Sequence, residues 1–239
     1  LNEDNIKIFR TLRKAIKDNK FTISTHEKHY LIKCPKHLWV EYLIFRSVFN
    51  NLSNKKISTE FPLYVLVEPV SICNLRCVMC FQIDKSFSSN KSMMGKIDFD
   101  LFKKIIDETA KKGTKAITLA SRGEPTLHKQ LPEMLKYMKG KFLEVKLNTN
   151  ATFLNENLCR KILENEVTDL VFSIDSYEAE NYEKIRKKAK FKVVLENIRR
   201  FNQIRKNDYP NHRTTTRVSG VRIDEDQNKD LFAKFWYQH

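Results

Sequence analysis

The chain has 239 residues, 41% hydrophobic and 11% aromatic, which is enough apolar material for a core and too much for a disordered or collagen-like polymer. Lys plus Arg number 44 against 29 Asp plus Glu; the resulting +15 favours anionic partners such as nucleic acid, although cations spread over helix faces also read as solvated surface. No apolar run is long enough for a membrane span, and no signal peptide opens the chain. Five cysteines, three of them crowded between positions 73 and 80, suit a reducing, cytoplasmic setting better than a disulfide scaffold.

Residues 1–60 read as an N-terminal extension of helix, hairpin and helix. Asp4 is placed to cap a helix carrying Ile6, Phe9, Leu12 and Ile16; residues 21–34 alternate like a short hairpin; 38–49 are helical, and 50–60 form a polar linker. Residues 61–239 follow a different rhythm. Expected strands over 64–70, 116–120, 143–147, 169–174 and 214–221 alternate with helices over 98–112, 132–139, 155–164, 179–187 and 191–206. That alternation is the signature of βα units around a parallel sheet, an α/β fold. A last helix from about Asp226 is still amphipathic at His239, which reads as a chain cut short.

Cys73, Cys77 and Cys80 sit together on the loop after the first strand, in the run Cys73-Asn-Leu-Arg-Cys77-Val-Met-Cys80. Thiolates are soft ligands that suit zinc or an iron–sulfur cluster rather than magnesium or calcium. A structural zinc is closed by four protein ligands, and Cys34, His37 and Cys159 are isolated candidates for the fourth. A four-iron cluster on three cysteines instead keeps one iron open to an outside ligand, into which it can donate one electron.

Ligands of parallel α/β sheets bind at the carboxyl ends of the strands, so the following loops are the next places to look. After the second strand comes Ser121-Arg122-Gly123-Glu124-Pro125, where glycine permits close backbone approach and the backbone suits an ammonium group. Asn148-Thr149-Asn150-Ala151-Thr152 and Ser173-Ile174-Asp175-Ser176 follow the third and fourth strands with short polar groups suited to ribose hydroxyls or a carboxylate. His128, close to the Gly-Glu-Pro turn, is a further pocket candidate. His26, His29 and His37 read as surface residues, Cys34 and Cys159 as buried apolar ones, and Lys187, Lys188 and Lys190 as a solvated basic run.

Together these residues resemble the radical S-adenosylmethionine (SAM) superfamily, whose hallmark CxxxCxφC is met by Cys73, Cys77, Met79 and Cys80. Ser121 to Pro125 is similar to the family's GGEP turn, Thr149 to Thr152 to its TNGT, and Ser173 to Ser176 followed by Arg186 to its S-x-D-G…R segment. The branch most resembled carries an extra C-terminal cluster domain of the SPASM or Twitch type. The resemblance implies a partial TIM-type (β/α)6 barrel, represented here by about five βα units. It implies a [4Fe–4S] cluster on Cys73, Cys77 and Cys80, reductive cleavage of SAM to a 5′-deoxyadenosyl radical, and hydrogen abstraction from an unidentified substrate. The backbone near Met79 would face adenine; Ser121, Gly123 and Glu124 would approach the methionine amino group; Asn150, Ser173 and Asp175 would approach ribose or carboxylate oxygens, and Arg186 would pair with the carboxylate. An external one-electron donor of flavodoxin or ferredoxin type would be the partner. Arg122 replaces the first glycine of GGEP, as a side chain able to crowd the site or meet an anion, and Ala151 replaces the glycine of TNGT. Two other readings stand beside this one: a non-catalytic zinc or iron–sulfur module, and an RNA-modifying radical enzyme favoured by the net charge.

Overall fold

The structure is a computed structural model that describes residues 3–18, 20, 22–55, 59–223, 225 and 227–239. Three helices open the chain: α1 (Glu3–Lys17), α2 (Thr25–Lys33) and α3 (Trp39–Lys55). The expected hairpin over 21–34 is therefore replaced by α2. Ser24 and Glu27 form a capping box: the Ser24 hydroxyl accepts from the Glu27 N–H (3.2 Å) and the Glu27 carboxylate accepts from the Ser24 N–H (2.7 Å). Two satisfied helix-end donors outweigh a weak alternation of side chains. Asp4 lies inside the first turn of α1 rather than at its cap, and α3 runs into the expected linker as far as Lys55, with 56–58 outside the described residues.

The parallel sheet is built from β1 (Tyr64–Val67), β3 (Ala116–Leu119), β4 (Glu144–Thr149), β5 (Asp169–Ser173) and β7 (Thr215–Ser219), in the spatial order β1-β3-β4-β5-β7. Between β1 and β3 lie the two-residue β2 (Arg76–Cys77), the short helix α4 (Lys85–Ser88) and α5 (Phe99–Lys111). Helices α6 (Leu131–Met138) and α7 (Glu156–Glu164) connect the next strands. The last crossover holds α8 (Ala179–Ile185), β6 (Arg186–Lys187) and α9 (Phe191–Asp208), and α10 (Lys229–Tyr237) follows β7. Each strand joins the edge left by the one before it, so the sheet winds one way with no reversal of order, as in a βα barrel that has not closed.

The residues explain the layers. β3 and the first four residues of β5 are buried throughout, as expected of strands covered on both faces. Outside them pack Phe102 and Ile106 of α5, Met134 and Leu135 of α6, Cys159 and Ile162 of α7, and Val194, Ile198 and Phe201 of α9. These recur at helical spacing, and each large side chain so buried contributes roughly 1.5–3 kcal/mol. Asp98 and Asn155 cap α5 and α7 by accepting from the backbone N–H groups of Leu101 and Leu158.

The N-terminal helices close the other end of the sheet. Tyr30, stacked on Tyr42, donates to Leu143 O (2.7 Å), while His26 and Arg46 meet the Glu144 carboxylate at the start of β4. The carboxyl ends of the strands are thus left for chemistry. Among the described residues no helix is long and apolar enough to cross a membrane.

Candidate cofactor site at the strand ends

β1 stops at Val67 instead of running to residue 70, because Glu68-Pro69 turns the chain out and Val70 pairs with Lys96 in a single antiparallel bridge. The loop it feeds carries the three cysteines, all free thiols. Leu75 N–H donates to Cys73 Sγ (3.5 Å), and Cys80 N–H donates to Cys77 O (3.0 Å), folding the cysteine run into consecutive tight turns. Burial pushes the Cys73 thiol up, and pushes the Cys77 thiol up to about 11, so ligand binding to either sulfur expels a proton.

All three cysteines border one cavity of about 400 Å3 at the strand ends, together with Met79, Ser121, Gly123, Glu124, Asn150, Ser173 and Arg186. Tertiary structure therefore gathers residues from five separate segments that the sequence analysis singled out. Gly123 lies flush against the cysteine loop: a Cβ there would stand 2.0 Å from Val70 O and 2.7 Å from Ile72 O. Only glycine fits that approach. Glu124 is buried and braces rather than exposes its side chain. It accepts from Asn150 N–H (2.7 Å), Thr149 Oγ1 (2.6 Å) and Thr126 Oγ1 (2.7 Å), stitching the β3 loop to the β4 loop. Burial nevertheless raises its pKa, so the four donors, Thr126 N–H included, oppose a large desolvation cost.

Arg122 also borders the cavity, and its guanidinium is held in place by a fork onto Glu68, with Nε to Oε2 and Nη2 to Oε1 both at 2.8 Å. Asn150 donates to Asn74 Oδ1 (3.0 Å) and stands 4.0 Å from Cys73 Sγ. Ala151 adopts φ 61°, the left-handed conformation that glycine would take without strain.

The segment expected as helix through residue 187 stops at Ile185, because Ile185 O accepts from Val78 N–H (2.9 Å) and the chain pairs with the cysteine loop. β2 and β6 form a two-residue antiparallel ladder that places Arg186 opposite Cys77. Arg186 Nε lies 2.7 Å from Asp175 Oδ2 and Nη2 lies 3.2 Å from Asp175 Oδ1, while Nη1 is 3.9 Å from Cys77 Sγ. The fork is therefore already engaged with Asp175, so bidentate pairing with an incoming carboxylate is not its resting geometry. Asp175, expected among the ribose or carboxylate contacts, lies behind Arg186 with a fully buried side chain and borders other hollows instead.

Gln82 and Asn74 were not singled out in the sequence. Gln82 is 1% exposed and donates to Ser71 O (2.7 Å) and Arg122 O (2.9 Å), tying the cysteine loop to the β3 loop. A lone amide in a loop carries no periodic signal. His128 is turned out of the cavity: Nε2 faces Ile97 O (3.0 Å) and Nδ1 accepts from Gln130 N–H (3.2 Å). Cys34 packs with Tyr30 in the N-terminal cluster and Cys159 against the outer face of the sheet, so neither joins the other thiols. Among the described residues no three His, Cys, Asp or Glu side chains are set to hold one metal ion.

Three thiols on the first loop of an open parallel barrel, with amide, hydroxyl and close-approaching backbone groups on the next loops, define a cofactor-dependent barrel domain. The sequence pattern of the Radical SAM superfamily matches residues 67–233, and the chain belongs to that superfamily. It is 32% identical over 168 residues to an AdoMet-dependent heme synthase of Methanosarcina barkeri, covering 70% of this chain and 46% of that protein. It is 34% identical over 113 residues to a tungsten-containing aldehyde ferredoxin oxidoreductase cofactor-modifying protein of Pyrococcus furiosus, covering 47% and 30%. SuiB of Streptococcus suis, solved with its precursor peptide SuiA, shares the fold at TM-score 0.62 and 14% identity, over 96% of this chain and 49% of SuiB. The chain thus spans half or less of the length of these proteins.

Proposed function

We propose that this chain carries the cluster- and SAM-binding half of a radical SAM enzyme. The observation that carries this reading is the convergence of Cys73, Cys77 and Cys80 on one cavity whose remaining wall comes from the strand-end loops. The donor set fits: three soft sulfurs border a space larger than one ion, with no fourth cysteine beside them. A [4Fe–4S] cluster held by these three residues supplies the electron for reductive cleavage of SAM to a 5′-deoxyadenosyl radical.

The chain's own residues bind, orient and shield. Gly123 lets the β3 loop lie flush against the backbone of residues 70–72, which fixes its own backbone at the cavity wall, where it suits the ammonium of the methionine moiety. Glu124 acts through its four hydrogen bonds, holding the Gly123 and Asn150 backbones in register. Asn150 and Ser173 offer hydroxyl and amide groups for ribose or carboxylate oxygens, and the backbone at Met79 offers an edge for adenine. The buried Leu75 and the partly buried Met79 give the sulfurs an apolar flank. A flavodoxin- or ferredoxin-type protein serves as the one-electron donor.

The test is anaerobic reconstitution with iron and sulfide, dithionite reduction, and EPR with and without SAM. A reduced four-iron signal that changes on adding SAM, with 5′-deoxyadenosine in the product mixture, supports the reading. One tightly held zinc and no cluster would make the cysteine loop a structural clip.

A further inference from the structure

Arg186 is unusual among the cations of this chain because it is buried: its side chain is 10% exposed and that of its partner Asp175 is 0% exposed. Most of the other ion pairs lie at the surface. Taking a guanidinium and a carboxylate out of water is costly, and apolar side chains of similar size often stabilise a fold as well. The pair therefore points to a use for a fixed charge at this place.

The place is the sulfur of Cys77. Arg186 is delivered to it by backbone, through the β2–β6 ladder in which Cys77 and Arg186 are directly paired. Its orientation is then set from behind. Asp175 accepts from Nη2 (3.2 Å) and is ion-paired with Nε (2.7 Å), and the same carboxylate accepts from Val221 N–H (2.8 Å), so the acid is held on two sides and sets where the guanidinium points. The remaining Nη1 faces Cys77 Sγ at 3.9 Å. A reduced iron–sulfur cluster carries one more negative charge than the oxidised one. A fixed cation and N–H donor at a ligating sulfur therefore favour the reduced state, and hydrogen bonds to the sulfurs are among the levers that set such potentials.

We propose that Arg186, oriented by Asp175, is the positioning residue that raises the reduction potential of the cluster by placing a buried positive charge and an N–H donor on Cys77 Sγ. This rests on the cluster reading above and deepens it. It also distinguishes Arg186 from the carboxylate-pairing role expected from sequence, since its fork is occupied by Asp175.

The test is a potentiometric titration of the reconstituted cluster, followed by EPR without SAM, in wild type, Arg186→Lys, Arg186→Gln and the double variant Asp175→Asn with Arg186→Gln. The cluster gains one electron per titration, from dithionite through mediators. Expected midpoints fall in the order wild type, then the double variant, then Arg186→Gln, in which Asp175 is left as an unpaired negative charge near the sulfur. Arg186→Lys keeps the charge and stays nearest wild type. The double variant buries no charge, so it remains readable if Arg186→Gln fails to fold. Equal midpoints in wild type and the neutral double variant, at equal iron content, would overturn the proposal and leave Arg186 a structural latch. Failure of the wild type to assemble any cluster would instead remove the reading on which it stands.

Discussion

Replacing Gly123 by alanine puts the cavity's architecture to a direct test. The added Cβ would lie 2.0 Å from Val70 O and 2.7 Å from Ile72 O and from Val70 C. An ordinary carbon–oxygen contact is about 3.3 Å or more, so the closest pair must separate by roughly 1.3 Å. All three obstacles are backbone, so no side chain can rotate aside. Retreat of the β3 loop would stretch the Glu124 N–H to Ile72 O bond (3.0 Å) and the Gln82 bridge between Ser71 O and Arg122 O. Overpacking of this kind costs about 1–3 kcal/mol, and each buried hydrogen bond lost adds about 1 kcal/mol. A loss of roughly 3–5 kcal/mol is expected, a large share of the stability of an ordinary domain. Urea denaturation followed by circular dichroism measures it, and iron content after reconstitution reports the site. Gly95→Ala is the internal control, since a Cβ there meets nothing within 4 Å; it should change stability by less than about 1 kcal/mol. Gly123→Ala within about 1 kcal/mol of wild type, with full iron loading, would show that the two loops do not depend on this close approach.

Other expectations follow from the same structure. Cys73→Ala, Cys77→Ala and Cys80→Ala should each abolish stable iron loading with the fold retained by circular dichroism, whereas Cys34→Ala and Cys159→Ala should keep it. Loss of the fold itself in the first three would favour a structural metal. His26 is raised, chiefly by its hydrogen bond to Glu144; Glu144 is pushed up by burial but held lower overall by His26 and Arg46. The raised His26 stabilises below its ordinary value of 6.5 and loses that contribution as pH rises through its folded value; the lowered Glu144 stabilises above its ordinary 4.5 and loses it as pH falls. The pair thus contributes most between those two values, by under about 1 kcal/mol because His26 is partly exposed. His26→Gln should remove that mildly acidic maximum from a stability-versus-pH series; an unchanged profile would show that the pair does not form. Lys188 is exposed with φ 75°, so Lys188→Gly should be neutral or raise stability by up to about 1 kcal/mol in thermal unfolding. A clear loss would mean that its side chain is engaged.

The βα rhythm was legible because it depends on local periodicity, and the observed strands fall within a few residues of those expected. The expected N-terminal hairpin is a helix because Ser24-Thr-His-Glu27 is a capping-box sequence, and helix-end chemistry outranks a short alternation. The stop of α8 was hidden for a different reason. Ile185 O and Arg186 leave the helix to pair with Val78 and Cys77, more than a hundred residues earlier, and no local pattern announces such a partner.

By itself the sequence determined the cysteine spacing, the order of the strand-end loops and the apolar faces that build the sheet. Those depend on residue type and on repeats of two or three to four positions, which survive in one dimension. Only the tertiary structure decided what the polar residues do with one another. It turned Arg122 onto Glu68, made Glu124 a buried brace, set Asp175 behind Arg186 and aimed Arg186 at Cys77. Hydrogen bonds and ion pairs act over a few ångströms and are chosen by which loops meet in space, a choice made by packing of the whole sheet rather than by neighbours in the chain.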